Sequence, residues 1–456
     1  MRGSRPGRGR APRGDALSAS LAGLKVFVRT FGCQMNENDS EHIAGVLLRA
    51  GAVKAAGPES ADIVIVNTCA VRQKSEEKLY SYLGRLSRLK KKRPFLLGVA
   101  GCVAQVRKAE IIARLPFVDF VAGPDNYLDL PELVARAAET PVVRTEFGRD
   151  WREIGAGSTE RETPWSAFVP VMEGCDNFCA YCIVPFSRGR EKFRPLANIV
   201  GEVKDAAAAG AVEIQLLGQN VNSYRDPGTG AGFAGLLDAV SAVPGVAWVR
   251  FITSHPKNFG DEIIEATAGN PKVCPALHLP VQSGSSRILE RMNRGYTREG
   301  YLNLVARLRR RLPSLLLMTD VIVGFPGETE EDFEETCSLL REVRFAVIFS
   351  FRYSPRPLTA AAALTDDIPL EAKRRRLIAL QSLQKSIQTE LYGSFVGQEL
   401  PVLGTGPSPK GAGRSCERTS GNLVVNFDSA AGPAGRFVTV RITGSGPYSL
   451  HGALVK

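Results

Sequence analysis

The chain of 456 residues is too long for one ordinary hydrophobic core, so two or three domains are expected. Hydrophobic residues make up 44% of the sequence, and no apolar run reaches the length of a membrane span, which argues against a membrane protein. The net charge of +11 favours a polyanionic partner, nucleic acid above all. Nine cysteines without a secretory signal predict a cytoplasmic protein that binds metal, not a disulfide scaffold.

Residues 1–23 are rich in Arg, Gly, Ala and Pro. We predict a disordered basic tail, because Pro and Gly oppose an amphipathic helix. An organellar transit peptide is the alternative interpretation of this segment.

The segment that follows, up to about residue 140, alternates continuous apolar stretches with helical ones. Strands are predicted at residues 24–30, 62–66 and 95–100, and helices from about 41 to 50 and from about 75 to 92. Apolar strands that alternate with helices are typical of a parallel sheet covered by helices.

A cysteine follows closely on each of these three strands: Cys33, Cys69 and Cys102. Because the carboxyl ends of parallel strands meet at one edge of a sheet, we predict that these residues, the first cysteine triad, converge in space. The alternative is three buried core thiols, although core thiols would be expected inside the strands. The convergence predicts a three-cysteine cluster site.

Polar, irregular residues at about 140–165 predict a linker, after which strands and helices alternate again. Six strands are predicted there, at residues 168–172, 212–217, 246–251, 276–279, 315–323 and 346–351. Six such units suit a partial (β/α) barrel, whose chemistry lies at the carboxyl ends of the strands.

The loop after the first barrel strand carries the second cysteine triad: Cys175, Cys179 and Cys182. Three thiolates in one short loop can hold three corners of a cubane iron–sulfur cluster and leave the fourth iron open for a substrate or cofactor. A structural zinc site would need a fourth Cys or His nearby, and the sequence offers none there. Three ordinary buried cysteines are the remaining alternative.

The last part of the chain changes character. A long helix is predicted from 371 to 388, and from about residue 392 short strands separated by Gly and Ser predict a small β-domain. Basic residues cluster at 85–93, 307–311 and 373–376. Each run is either a solvated helix face or an RNA-binding surface, and the three together favour RNA.

Several strings resemble a known family. Residues 174–190 resemble the signature of radical S-adenosylmethionine enzymes, in particular the methylthiotransferase branch. The strings around the first cysteine triad, at 30–36, 67–72 and 101–102, resemble the cluster loops of the methylthiotransferase N-terminal domain. The C-terminal segment resembles the TRAM domain, a small RNA-binding β-barrel. Five further strings resemble the subfamily that acts on tRNA: 216–224, 278–284, 292–297, 324–329 and 353–357.

The resemblance implies an α/β fold with three domains after the basic tail. Residues 24–140 would form an N-terminal parallel-sheet cluster domain and residues 160–390 a central partial (β/α) radical-SAM barrel. Residues 392–456 would form a TRAM-like small β-barrel that binds RNA.

The same resemblance implies the cofactors and the reaction. Each cysteine triad would hold one 4Fe–4S cluster, and the second triad's cluster would also bind S-adenosylmethionine. Cleavage of S-adenosylmethionine would give a 5′-deoxyadenosyl radical that removes hydrogen from carbon 2 of an isopentenylated adenosine next to the anticodon of tRNA. The first cluster would present the sulfur, and a second S-adenosylmethionine would give the methyl group. An electron donor protein is required, a monomer is expected, and no catalytic side chain is assigned.

The chain departs from the family pattern at two places. Leu358 stands where the family tends to have glycine, and Glu417-Arg418-Thr419 stands where it has Gly-Arg-Thr. The second departure falls where the TRAM-like segment would contact RNA, and Arg418 is our candidate residue for such a contact.

Other residues keep two interpretations. Arg188 and Arg190 either neutralise a carboxylate or phosphate near the second cysteine triad or are surface charge. Gly218 and Gly324 either let a nucleotide approach the backbone or are ordinary turns. Three further cysteines receive no function, and packing is the expectation for the one in a predicted helix; they are Cys274, Cys337 and Cys416.

The sequence therefore leaves three alternative functions for this protein. The first is methylthiolation of a tRNA adenosine, either the isopentenylated one or a related one. The second is methylthiolation of a ribosomal-protein side chain on the same scaffold, against which the basic runs argue. The third is a non-catalytic, metal-stabilised RNA-binding protein, which does not explain an open three-cysteine site.

Overall fold

The computed structural model describes residues 21–153, 159–407, 414–428 and 434–455. Apart from its last three residues, the predicted basic tail lies outside the described residues. The chain divides into two units, a first unit that ends at Glu146 and a second unit that holds the residues from Arg161 onward. None of the described helices is long and apolar enough to cross a membrane.

The first unit is built on a six-stranded sheet in which every neighbouring pair is parallel, as predicted. Its strands are β1 (Lys25–Phe31), β2 (Val53–Lys54), β3 (Ile63–Thr68), β4 (Leu96–Ala100), β5 (Phe120–Ala122) and β6 (Val142–Arg144). Its helices are α1 (Gln34–Arg49), α2 (Gln73–Lys90), α3 (Cys102–Arg107), α4 (Glu110–Arg114) and α5 (Leu130–Ala137).

The strand order in this sheet is β2-β1-β3-β4-β5-β6, so β1, β3 and β4 are neighbours. All six residues of β3 are buried, which explains the continuous apolar run of its first four residues, 63–66. Helix α1 begins well before the predicted start near residue 41, because the Asn36 side chain accepts the Cys33 N–H at 3.4 Å and closes the first turn.

The second unit contains the predicted partial barrel. Its strands are β7 (Ser166–Pro170), β8 (Met172–Glu173), β9 (Lys192–Phe193), β10 (Glu213–Leu217), β11 (Trp248–Phe251), β12 (Ala276–His278), β13 (Leu316–Val323) and β14 (Val347–Arg352). Its helices are α6 (Val184–Ser187), α7 (Leu196–Ala208), α8 (Phe233–Ser241), α9 (Asp261–Gly269), α10 (Ser286–Arg291), α11 (Arg298–Arg311), α12 (Glu330–Val343) and α13 (Leu370–Gly393).

The six predicted barrel strands form two parallel three-stranded sheets, ordered β11-β10-β7 and β12-β13-β14. Among the described residues, an isolated parallel bridge pairs Val249 of β11 with Val273, shortly before β12. The short antiparallel pair β8-β9 flanks the loop of the second cysteine triad. The α/β fold class and the partial barrel are therefore confirmed, and the loop lies at the carboxyl ends of the strands.

The C-terminal residues of the second unit form the predicted small barrel, which is closed in the order β15-β16-β17-β19-β18. Its strands are β15 (Glu399–Pro407), β16 (Arg414–Thr419), β17 (Val424–Asp428), β18 (Phe437–Ser445) and β19 (Leu450–Leu454). Its core is apolar and includes Val402, Val425, Phe427 and Ile442.

This small barrel packs against the amino ends of the large barrel's strands. Trp248, the first residue of β11, meets Phe437 edge to face with 4.7 Å between ring centroids. Leu316, the first residue of β13, belongs to the small barrel's core. A Cβ added to Gly421 would lie 2.6 Å from Leu316 Cδ1, so the loop approaches too closely for a side chain. The small barrel therefore covers the edge opposite the second cysteine triad.

A buried ion pair anchors that contact. Arg250 in β11 pairs with Glu213 in β10 at 2.6 Å, and both side chains are buried. The same guanidinium donates to the backbone carbonyls of Thr419 at 2.8 Å and Ser420 at 2.7 Å. The loop after β16 thus satisfies donors that would otherwise be buried without partners.

Candidate functional site

The first cysteine triad lies at the carboxyl edge of the parallel sheet. Cys33 follows β1, Cys69 follows β3 and Cys102 opens α3 directly after β4. The pKa of the Cys69 thiol is raised well above its usual value by a hydrogen bond with Cys33, by burial and by the nearby Cys33 and Cys102 thiols. The structure therefore brings the three thiols together.

An amide pair that sequence reasoning missed holds the loops of this triad. The Asn67 side chain donates to the Asn36 carbonyl and to Ser40 Oγ, both at 2.9 Å. Asn36 Nδ2 faces Asn67 Oδ1 at 3.4 Å, and both side chains are fully buried. Gly101 has φ of +89°, and a Cβ there would lie 2.2 Å from Asn67 Oδ1. Their position in the sequence could have indicated this role, because Asn36 and Asn67 lie within the strings 30–36 and 67–72 that also carry Cys33 and Cys69.

The loop of the second cysteine triad is held at its start by backbone contacts. Gly174 has φ of +82°, and a Cβ there would lie 2.0 Å from the Arg190 carbonyl oxygen. Its N–H donates to Gln219 Oε1 at 2.6 Å, and the Cys175 N–H donates to the Gly189 carbonyl at 3.2 Å. Glycine is therefore required at the entrance to this loop.

The rest of the loop folds back on itself and on a neighbouring turn. The Cys182 N–H donates to the Cys179 carbonyl at 2.9 Å, and the Ala180 N–H donates to the Met292 carbonyl at 2.8 Å. Phe178 takes φ of +46°, an uncommon conformation for a bulky residue. The loop that carries the three thiols is thus a compact turn, held by its own backbone hydrogen bonds and by one to Met292.

Burial affects the protonation of the Cys175 and Cys182 thiols. Burial raises the pKa of Cys182 to about 12, and the neighbouring Cys179 and Cys175 thiols add to the effect. Burial also raises the pKa of Cys175, against which hydrogen bonds from Asn177 act. A cation bound among these thiols would reverse the effect of burial, because metal coordination deprotonates a thiol.

The guanidinium of Arg294, a residue of the string 292–297, contacts this triad, and sequence reasoning missed this contact. Its Nη1 lies 3.2 Å from Cys179 Sγ and 3.4 Å from the Tyr181 hydroxyl. Its Nη2 donates to the Pro280 carbonyl at 2.7 Å, and its Nε donates to the Tyr296 hydroxyl at 2.9 Å. Burial opposes the charged form, yet the surrounding Tyr181, Tyr296 and Cys179 raise the pKa of Arg294 above its usual value.

Arg188 and Arg190, which follow the second cysteine triad, have different environments. Arg188 is buried and lies 3.6 Å from the Glu173 carboxylate, so it is an internal charge and not surface charge. Arg190 is exposed, pairs with Asp176 at 2.6 Å and lies over the Phe178 ring at 5.1 Å.

Gly218 and Gly324 are packed by the protein's own side chains. A Cβ at Gly218 would lie 2.8 Å from Met172 Sδ. Gly324 has φ of +70°, and a Cβ there would lie 2.4 Å from Lys373 Cγ. Close packing in tight turns explains both glycines without a nucleotide.

Three buried polar atoms near the carboxyl ends of β10 and β11 lack a hydrogen-bond partner among the described residues: Asn220 Oδ1, Ser254 Oγ and His255 Nε2. His255 Nδ1 accepts the Lys257 N–H at 3.2 Å, so its proton lies on Nε2. Burial, followed by the charges of Arg294 and Lys257, lowers the pKa of His255 to about 2 and keeps it neutral. A polar cofactor fits this set, because buried polar groups require partners.

No group of three or more His, Cys, Asp or Glu side chains in the described part of the chain is arranged to hold a single metal ion. A cubane cluster is a different case, because each thiolate binds a separate iron. Three thiols and no fourth cysteine in each triad suit a cluster with one open iron. The two triads lie in different units of the chain.

The remaining cysteines lie away from both triads in sequence. Cys337 packs in the core of the second unit, as predicted, and burial raises its pKa to about 11. Burial raises the pKa of Cys274 to about 12. Cys416 is partly buried in β16.

Models of three protein families match successive parts of the chain. An uncharacterized protein family, UPF0004, matches residues 25–123, the radical SAM superfamily matches residues 169–340, and the TRAM domain matches residues 393–455. A solved structure of the radical S-adenosylmethionine methyltransferase TsrM from Kitasatospora setae has a TM-score of 0.53 at 16% identity and covers 74% of this chain and 75% of that one. At that identity the likeness shows the fold alone.

Much more similar relatives carry one name, tRNA-2-methylthio-N(6)-dimethylallyladenosine synthase. The protein from Geobacter metallireducens is 48% identical over 440 residues, which cover 94% of this chain and 98% of that protein. The protein from Anaeromyxobacter sp. (strain K) is 46% identical over 460 residues, which cover 97% of both chains. Because this similarity extends over nearly the whole length of the proteins, the chain belongs to the family of tRNA-2-methylthio-N(6)-dimethylallyladenosine synthases.

Proposed function

We propose that this protein adds a methylthio group to carbon 2 of isopentenylated adenosine next to the anticodon of tRNA. The names of its relatives support the substrate, and the radical SAM superfamily match supports the chemistry. The observation that carries the proposal is the pair of three-thiol sites, each at the carboxyl edge of a parallel sheet. Each site offers one thiol fewer than the four of a closed 4Fe–4S site.

The residues divide into two roles in this proposal. The first cysteine triad would hold one 4Fe–4S cluster, from which the sulfur is delivered, and the second would hold another. With S-adenosylmethionine these groups supply radical formation, sulfur and the methyl group. Asn220, Ser254 and neutral His255 would bind polar atoms of S-adenosylmethionine, because each keeps a buried atom that has no hydrogen-bond partner among the residues the structure describes.

Burial of Cys179 in the second cysteine triad serves the same chemistry. Cys179 is only 8% exposed, so a radical formed beside it would be shielded from water. An electron donor protein and a cytoplasmic location complete the proposal, since the cluster must be reduced and its thiols kept from forming disulfides.

Two triple variants test the division of roles. With all three cysteines of the second triad changed to Ala, the protein should lose about half of roughly eight iron atoms and all cleavage of S-adenosylmethionine. With those of the first triad changed to Ala, it should also lose about half of its iron, but it should still cleave S-adenosylmethionine while making no methylthio product. Iron and sulfide quantitation and product chromatography measure both variants. Normal product from the first-triad variant would contradict the sulfur-donor role.

The substrate is tested separately. Mass spectrometry of the nucleosides in bulk tRNA from a deletion strain should show the 2-methylthio form missing and the isopentenylated precursor accumulated. Unchanged tRNA nucleosides together with an unmodified ribosomal protein would instead favour the protein-modifying alternative.

A further inference from the structure

One cation of the second unit is buried against a cysteine of the second triad. Arg294 is 5% exposed, and its Nη1 lies 3.2 Å from Cys179 Sγ. Arginine stays charged in proteins, so a full positive charge lies beside a sulfur that the proposed function makes a cluster ligand.

The position of this charge is fixed by the surrounding turn. Tyr296 Oη accepts from Arg294 Nε at 2.9 Å and donates to the Val281 carbonyl at 3.0 Å. The Asn293 side chain donates to the Phe178 carbonyl at 3.0 Å inside the cysteine loop. The turn is tight, because Asn293 has φ of +56° and Gly295 φ of +70°. Tyr296 therefore holds the guanidinium, and Asn293 holds its turn against the cysteine loop.

In the described part of the chain, the Arg294 guanidinium has no acidic partner. Its hydrogen bonds within the described residues go to hydroxyls, a carbonyl and a thiol, and no Asp or Glu carboxylate is among them. A buried charge without a counter-charge is costly. Three thiolates outnumber the positive charge of an oxidised 4Fe–4S core, so a bound cluster is anionic and would supply the missing counter-charge.

We infer that Arg294 is a positioning residue that holds Cys179 in place and raises the reduction potential of the cluster bound by the second cysteine triad. This inference rests on the proposed function. Reduction adds one electron from an external low-potential donor and forms or breaks no bond. A fixed cation nearby stabilises the more negative, reduced cluster, and hydrogen bonds to the sulfurs act in the same direction.

The test measures a midpoint potential and not activity. The parent is the full chain with the three cysteines of the first triad changed to Ala, so that a single cluster gives the electron paramagnetic resonance signal. In a dithionite titration, Arg294→Gln should lower the ratio of reduced to oxidised cluster about tenfold at a fixed potential, a shift of about 59 mV to more negative values. An unchanged midpoint potential in Arg294→Gln would overturn the inference.

Matched variants separate charge from structure. Arg291→Gln, three positions away, should leave the potential unchanged, because Arg291 is exposed and its Nε donates to the Pro326 carbonyl at 3.2 Å. Arg294→Lys keeps the charge and should shift the potential less than Arg294→Gln. If Arg294→Gln binds no iron, Tyr296→Phe replaces it, because this variant removes only the hydroxyl that holds Nε. A more negative potential in Tyr296→Phe supports the inference, and an unchanged one overturns it.

Failure of the proposed function gives a different result. If the parent binds no iron, or if S-adenosylmethionine leaves its spectrum unchanged, the proposed function fails and this inference fails with it. If the parent cleaves S-adenosylmethionine but Arg294→Gln keeps its potential, only the inference is wrong.

Discussion

Leu358 holds a backbone conformation that glycine adopts more readily. Its φ is +69°, and its side chain is 64% exposed, so little packing compensates for the strain. The resemblance leads us to expect glycine at this position, and the left-handed conformation is one that glycine adopts at little cost. Leucine at this position therefore carries a local conformational cost.

Leu358→Gly should make the protein more stable. Relief of the left-handed conformation contributes about 1–2 kcal/mol, and the extra flexibility of glycine in the unfolded chain takes back about 0.5–1 kcal/mol. We expect a free energy of unfolding higher by up to about 1 kcal/mol, measured by urea titration. Leu364→Gly is the control, because Leu364 has φ of −78° and the same change there should destabilise. Equal effects of the two substitutions would contradict the strain at Leu358.

Gly174 is the opposite case, a glycine that cannot be replaced. Gly174→Ala would place Cβ 2.0 Å from the Arg190 carbonyl oxygen, a backbone atom that cannot rotate away as a flexible side chain could. We expect the variant to lose the iron of the second cysteine triad, about half of the total, in iron and sulfide quantitation. Gly201→Ala in α7 is the control, because nothing lies within 4 Å of the added Cβ. Full iron in Gly174→Ala would show that the loop can open without losing its cluster.

Among the secondary-structure elements, the parallel strands made the first cysteine triad predictable. Carboxyl ends of parallel strands share one edge, so three cysteines far apart in sequence could be expected to meet. Arg294 and Arg250 could not be found in this way. Their contacts with Cys179 and Thr419 span 115 and 169 positions, and they depend on how turns and barrels dock, which apolar periodicity does not encode.

The docking of the small barrel on the large one depends on Arg250. Arg250→Met would leave the buried Glu213 carboxylate without its ion-pair partner and two loop carbonyls without their donor, which should cost about 3–5 kcal/mol. Urea unfolding of the full chain measures the loss. Arg441→Met is the control, because its pair with Glu399 is exposed and is worth about 0.5 kcal/mol. A loss for Arg250→Met no larger than that of the control would mean that the two barrels are not held together by this pair.

For the molecule as a whole, the net charge of +11 overstates the basic surface available to RNA. Two members of the run at 373–376 are buried: Lys373 pairs with Asp366, and Arg376 pairs with Glu328 at 2.7 Å. Part of this run therefore lies in the protein's interior, where it is not available to bind RNA. The small barrel becomes the better place to look for an RNA contact.

Arg418 is the residue to test there, because it is exposed on β16 and its Nη1 donates to Asn422 Oδ1 at 3.0 Å. Deletion of the whole small barrel would also remove the carbonyl partners of Arg250, so a point variant is the cleaner experiment. Arg418→Ala should weaken tRNA binding and reduce the slope of log affinity against log salt by about 1, as expected for one lost phosphate contact.

The binding measurement needs a matched arginine of the same barrel. Arg441→Ala serves, because Arg441 is exposed but pairs with Glu399 at 2.6 Å, so its charge is already neutralised. We expect the tRNA affinity of Arg441→Ala to fall with salt concentration along the same slope as that of the unsubstituted protein. If Arg418→Ala gives the same slope as Arg441→Ala, Arg418 makes no phosphate contact. RNA binding would then belong to another face, and the basic runs at 85–93 and 307–311 would be tested next.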